Sequence, residues 1–236
     1  MKLLLRPPTL SDLQRVLNAW RVWLFAALIG GALGAFVYFV APPPYRVQAT
    51  VVVDFNIEQA WPVGEVSDRN VFYFLEREAR KLEELAFSDA VLQPVAAANN
   101  LGLNDLRQML NLSQPADGAW HFYVDDPDSK FAQTVAAAWA ESFVSKARAG
   151  IDTALQIDAA QKALANNPGD AALQAQISQL QTQSLGITPY IQVSAAQIAD
   201  APFARRTPIG SYTLAGAAIA MLLSAAFFLL FESHAQ

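Results

Sequence analysis

Two unbroken apolar runs stand at opposite ends of the chain. Val22 to Ala41 reads VWLFAALIGGALGAFVYFVA and Ile209 to Phe231 reads IGSYTLAGAAIAMLLSAAFFLLF, each without a charged residue. At about 20 residues or a little more, each is long enough to cross a hydrocarbon core of roughly 30 Å as a helix. In lipid a backbone amide finds no water, so both segments are expected to be helical. Such a length without a charge argues against a buried core helix. Pro42-Pro43-Pro44 directly after Ala41 is not a small-residue cleavage site and argues against a signal peptide.

Between the runs the pattern becomes that of a domain that folds in water. Tyr45 to Phe55, YRVQATVVVDF, alternates apolar and polar positions and contains several valines, which predicts a strand with one buried face. Asn56 to Ser67 is expected as a loop, with Trp61 packing on a membrane surface or in the core. Asp68 then caps a helix from Arg69 to Phe87 with an apolar stripe of Val71, Phe74, Leu75, Leu82 and Leu85. Ser88 caps a second helix, Asp89 to Asn100, closed by Leu101-Gly102-Leu103. Asn104 to Leu112 is expected as a short helix and Trp120 to Val124 as a strand.

Asp128 or Ser129 starts a longer helix to about Arg148, whose face of Phe131, Val135, Ala138, Trp139, Ser142 and Phe143 would cover the sheet. Gly150 is expected to loosen the chain. Ile151 to Ala165 and Asp170 to Leu185 then form a short helical hairpin over about residues 150–186, turning at Asn166-Asn167-Pro168-Gly169. Tyr190 to Ile198 alternates again and is expected to return as a strand. The fold class is therefore membrane α/β: two transmembrane helices flanking an extracytoplasmic α/β domain, Pro42 to Pro208. Both terminal strands are expected in one sheet.

Ahead of the first run, Thr9 to Arg21 carries Leu10, Leu13, Val16, Leu17 and Trp20 at helical spacing, so residues 1–21 are expected to hold a cytoplasmic amphipathic helix. Lys2, Arg6, Arg15 and Arg21 there oppose only Asp12. Short basic flanks stay in the cytoplasm, which puts both ends inside and the domain outside, in the inner (cytoplasmic) membrane. Arg205 and Arg206 vote the other way. Residues 232–236, ESHAQ, form a cytoplasmic tail without Lys or Arg.

The net charge of −5 leaves no basic footprint for nucleic acid, and the absence of cysteine excludes disulfides and thiolate metal sites. His121 lies in a strand and His234 in the tail, too far apart for a local metal motif. Asp125, Asp126 and Asp128 resemble a cation loop, but Pro127 interrupts them and a turn with a helix cap explains them better. The charged stretch from Glu76 to Glu84 is expected as a solvated helix face. No catalytic, cofactor-binding or metal-binding residue is assigned, and no cofactor is expected.

The residues singled out instead are for packing and for the membrane-proximal junction. Gly30 and Gly34 form a G-x-x-x-G, and Gly216 with Ala220 a weaker small-residue pair, each permitting close helix approach. Tyr45, Ala201, Pro202, Arg205, Arg206 and Pro208 mark the junction.

The order of elements resembles the Wzz-type chain-length determinants, the polysaccharide co-polymerases. The matching residues are Tyr45 and Ala49; Ser88, Asp89, Val91 and Leu92; Leu101, Gly102 and Leu103; Asp126, Pro127 and Asp128 with Ala132, Ala136 and Trp139; and Ala201, Pro202 and Pro208. The hairpin is shorter than in many members, and no kinase domain follows Phe231. The resemblance implies a non-enzymatic oligomeric scaffold, a ring of copies in membrane lipid. It would act on a polysaccharide polymerase or export machinery and set polymer length. The alternatives are an accessory subunit of another membrane complex, or an adaptor for a separate cytoplasmic tyrosine kinase, for which ESHAQ is too short to dock and only the N-terminal helix is left. Contacts between copies are expected through Gly30 and Gly34 in lipid and through the Glu76 to Glu84 run outside it.

Overall fold

The computed structural model describes residues 20–60, 68–114, 118–200 and 203–231. Most of the expected amphipathic helix, Trp61, Ala201, Pro202 and the tail after Phe231 lie outside these residues. In chain order the elements are α1 (Trp20–Val40), β1 (Tyr45–Phe55), α2 (Ile57–Ala60), α3 (Asp68–Ala86), α4 (Asp89–Ala98), α5 (Leu103–Met109), β2 (Leu110–Ser113) and β3 (Ala119–Asp126). They continue as α6 (Ser129–Asn166), α7 (Ala171–Gln183), β4 (Ile191–Val193), β5 (Gln197–Ile198) and α8 (Ile209–Phe231). The chain divides into two compact units, one of residues 45–204 and one of the two end segments.

In the end unit, α1 and α8 pack against each other along their length. Both are long and apolar enough to cross a membrane. Their large side chains point outward: Phe25 is 66% exposed, Phe39 72%, Leu214 73% and Leu222 71%. In water such a surface would be costly, at about 25 cal/mol per Å² of apolar area. At the seam between the two helices Gly30 and Gly31 are buried.

The unit of residues 45–204 is built on a five-stranded antiparallel sheet in the order β2-β3-β1-β4, with β5 also pairing β1. Alternation in β1 puts Val47, Ala49, Val51 and Val53 in the core, and Trp120, Phe122 and Val124 of β3 join them. Helix α6 lays Val135, Trp139 and Phe143 over that face. The Phe122 and Trp139 rings meet edge to face at 4.7 Å, and Trp120 stacks on Phe143 at 5.9 Å. Two hydrogen bonds fix the neighbouring helices on α6. Trp139 Nε1 donates to Ala86 O at 2.8 Å and Ser142 Oγ to Val91 O at 2.8 Å. Asp128 caps α6 by accepting from Lys130 N and Phe131 N, as expected from its place before the helix.

The return segment differs from the expected single strand. It is split into β4 and β5, both on the edge of β1 away from β3: Val53 pairs Val193 and Thr50 pairs Gln197. Ser194 lies between them and bonds Val52 N through its Oγ at 2.8 Å, which carries the chain past the gap. Leu110 to Ser113 is a strand rather than the end of a helix. Its alternation of Leu110 and Leu112 with Asn111 and Ser113 matches the pleat of β3.

Helix α6 also departs from expectation. It runs unbroken for 38 residues through Gly150. Gly150 falls on the buried stripe of Phe143, Ala147 and Ala154, and Leu185 and Ile187 press into the space its missing side chain leaves. The glycine therefore serves close packing, not a break. Asp170 caps α7, accepting from Ala172 N and Leu173 N. Gly186 ends the hairpin at φ +67°, a left-handed conformation suited to glycine. Ser88 occupies the cap position of α4, but its hydroxyl turns back to Leu85 O at 2.7 Å instead of capping.

Candidate functional site

The glycine seam of the end unit brings two helix backbones into direct contact. A Cβ on Gly30 would collide with Gly216 O and the Cβ of Ala220. One on Gly34 would collide with Tyr212 O, and one on Gly216 with Gly30 O. These obstacles are backbone atoms or a Cβ, which cannot swing aside. Gly30, Gly34 and Gly216 thus form one contact, within a single chain. Within the chain the face of Gly30 and Gly34 is taken by α8. Packing of this kind is what holds helices together where the solvent is as apolar as the side chains.

Beside the seam runs a groove of about 550 Å³, with Leu33 and Val37 on α1 and Ala215, Ile219 and Leu223 on α8. Thr207, Ser211 and Tyr212 line one end. The junction residues of this unit gather there. Arg205 Nη1 donates to Pro43 O at 2.7 Å, and its guanidinium lies 6.0 Å from the centre of the Tyr38 ring. Tyr38 meets Tyr212 edge to face at 5.5 Å. Arg206 N bonds Pro44 O at 2.9 Å, and Pro208 O accepts from Ser211 N as α8 begins.

In the α/β unit, Tyr45 pairs with Asp126 at the start of β1, and Arg46 N bonds Ala204 O at 3.0 Å. The chain therefore enters and leaves this unit side by side. Arg46 also makes a two-pronged ion pair with Asp125, Nε and Nη2 each 2.7 Å from a carboxylate oxygen, and covers Tyr123. The side-chain hydrogen bond to Asp125 holds the arginine above its ordinary pKa, against partial burial. Asp126 accepts from Asp128 N, and Asp128 caps α6. All three carboxylates of the expected turn are thus engaged in structure. His121 Nδ1 lies 2.6 Å from Gln48 Nε2 and 3.2 Å from Thr50 Oγ1, a bonded strand residue.

The charged run of α3 is not wholly a solvated face. Glu78 is 1% exposed. Its Oε1 accepts from Lys81 Nζ at 2.8 Å and Arg77 Nε at 3.2 Å, and its Oε2 from Thr188 N at 3.3 Å. Lys81 also donates to Gly186 O. The cluster clamps the end of the hairpin to α3. A signal for it lay in the sequence: Glu78 fills the step between Leu75 and Leu82 on the apolar stripe. Arg80 does face outward, 3.4 Å from Glu76.

A second, polar groove of about 490 Å³ lies along α6, with Glu141, Ser145, Arg148 and Asp152 facing Ala195 and Ala196. Arg148 there donates to Val193 O at 3.0 Å, a bond that seats β4. Among the described residues no group of three or more His, Asp or Glu side chains is placed to hold a metal ion. The chain matches no protein-family model, and no curated protein matches it.

Proposed function

We propose that this protein is a non-enzymatic membrane scaffold of the polysaccharide co-polymerase type, acting as an oligomer to regulate polysaccharide chain length or export. In this reading α1 and α8 cross the inner membrane, both ends are cytoplasmic, and residues 45–204 stand outside. The observation that carries the proposal is the pairing of the first strand with the returning ones in a sheet between two apolar helices, with Arg46 N bonded to Ala204 O. The two ends of this unit therefore lie side by side. The helical hairpin of α6 and α7 projects from that sheet as an insertion between β3 and β4. The acidic groups that resemble a cation loop are used as an ion pair, a turn and a cap, so the domain's chemistry favours holding over bond making.

Two experiments test this. A cysteine at Asn167 should react with a membrane-impermeant thiol reagent in intact cells, and one at Ser11 only after permeabilisation; the reverse pattern overturns the orientation. Removing the gene should broaden or shift the length distribution of surface polysaccharide on gels. An unchanged distribution, with the protein normally present in membranes, would favour an accessory subunit of another complex.

A further inference from the structure

We propose that the groove beside the glycine seam holds one acyl chain of an anionic phospholipid, with its phosphate at Arg205 and Arg206. The proposal rests on the reading that α1 and α8 cross a bilayer, but not on any role in polysaccharide. Three features of the end unit carry it.

The first is the lining. Leu33, Val37, Ala215, Ile219 and Leu223 present only hydrocarbon, and the floor is the glycine seam, where no side chain can fill the space. The second is the size. From Ser211 to Leu223 the groove runs about 18 Å at 1.5 Å per residue, close to half of a roughly 30 Å hydrocarbon core, which is the reach of one leaflet. A groove of that length takes an extended polymethylene chain lying along the two helices.

The third is the charge at one end. Arg205 and Arg206 stand just before α8 begins, and residues 20–44 and 205–231 contain no Asp or Glu. Arg205 is anchored by Pro43 O and joined through Tyr38 to Tyr212, which lines the groove, while Thr207 and Ser211 bring hydroxyls to the same end. Basic groups at the mouth of a cleft between membrane helices select phosphate-bearing lipids. A zwitterionic lipid with the same tails would fill the groove but gain less from the arginines.

The test uses the full chain, extracted in mild detergent, stripped of lipid and titrated with palmitoyl-oleoyl phosphatidylglycerol or the phosphatidylcholine with the same tails, with bound lipid counted by native mass spectrometry. One phosphatidylglycerol should bind about tenfold more tightly than phosphatidylcholine. Arg205→Gln with Arg206→Gln should reduce it to the phosphatidylcholine level, whereas the double lysine variant keeps the preference. Ala215→Phe, on an exposed groove wall, should lower binding of both lipids. Circular dichroism checks that each variant stays helical. Equal binding of the two lipids to the wild type, or unchanged binding to Ala215→Phe, overturns the site. If the protein washes off membranes in carbonate, the spanning reading falls and the site with it.

Discussion

The glycine seam makes a quantitative prediction. Replace Gly30 or Gly216 by alanine, and in each case a methyl group meets a backbone carbonyl of the facing helix. Ordinary carbon contacts lie at about 3.5–4.0 Å, so the helices must part by roughly an ångström. A gap of about 0.5–1 Å forfeits a quarter to a half of each contact along the seam. If about thirty atom pairs at about 0.15 kcal/mol each make the contact, the loss is about 1–2 kcal/mol, within the range for overpacked sites. Gly210 is the control, because a Cβ there meets nothing within 4 Å. Gly210→Ala should leave the pair as stable as the wild type or slightly more so.

A donor and an acceptor dye on cysteines at Phe39 and Leu214, both exposed, report separation of α1 from α8. SDS added to mixed micelles should part the helices earlier in Gly30→Ala and Gly216→Ala. The double variant should cost less than the sum of the two, since the helices have already moved apart. Midpoints equal to that of Gly210→Ala would refute the reasoning, as would strict additivity of the two alanines.

Three further predictions follow from the α/β unit. Lys81→Met removes the closest partner of a buried carboxylate, which costs about 3–5 kcal/mol in a fully buried pair; with the lysine 32% exposed and Arg77 also near, about 2 kcal/mol is expected, read from urea unfolding of the full chain. At Gly150, alanine meets only the tips of Leu185 and Ile187 at 3.0–3.1 Å and should change the melting temperature little, whereas leucine should cost about 1–3 kcal/mol and free the hairpin base to proteolysis. The Arg46 pKa is raised by Asp125, so the stability it supplies is fully present below the ordinary arginine range and is lost only above it; the difference between wild type and Arg46→Gln, about 1 kcal/mol, should stay constant from about pH 7 to pH 10.

Much of the fold was legible because its period was clean. Four alternating apolar positions from Val47 to Val53 mark β1 and its buried face, and Asp128 marks the start of α6 as its cap. The seam was legible as a set of glycines but not as a partner, since small residues announce close approach without saying to which helix. Two departures come from a special residue on a buried stripe, and a third from a stretch too short to show its period. Gly150 reads as a loosening of the chain, although its spacing from Phe143, Ala147 and Ala154 continues one buried stripe. Glu78 was placed with the solvated charges, although it occupies the stripe between Leu75 and Leu82. Leu110 and Leu112 fit either period over so short a span, and only the ladder of β3 decides between them. In each case local propensity was overruled by what packs across from the residue.

That reassignment changes where copies of the chain can meet. Gly30 and Gly34 are occupied by α8, so substitution there first loosens one molecule's own helix pair. Lys81 points inward to Glu78 and Gly186 O, so reversing it attacks the hairpin base. Arg80 remains outward with Glu76, at 69% and 51% exposure. An exposed pair of this kind adds at most about 1 kcal/mol to the fold. Arg80→Glu alone therefore leaves the chain folded and probes the outer face of α3. If the protein assembles through that face, the charge reversal weakens the oligomer in gentle detergent while the melting temperature holds; if the oligomer is unchanged, copies meet elsewhere on the α/β unit or through the bulky outer faces of α1 and α8.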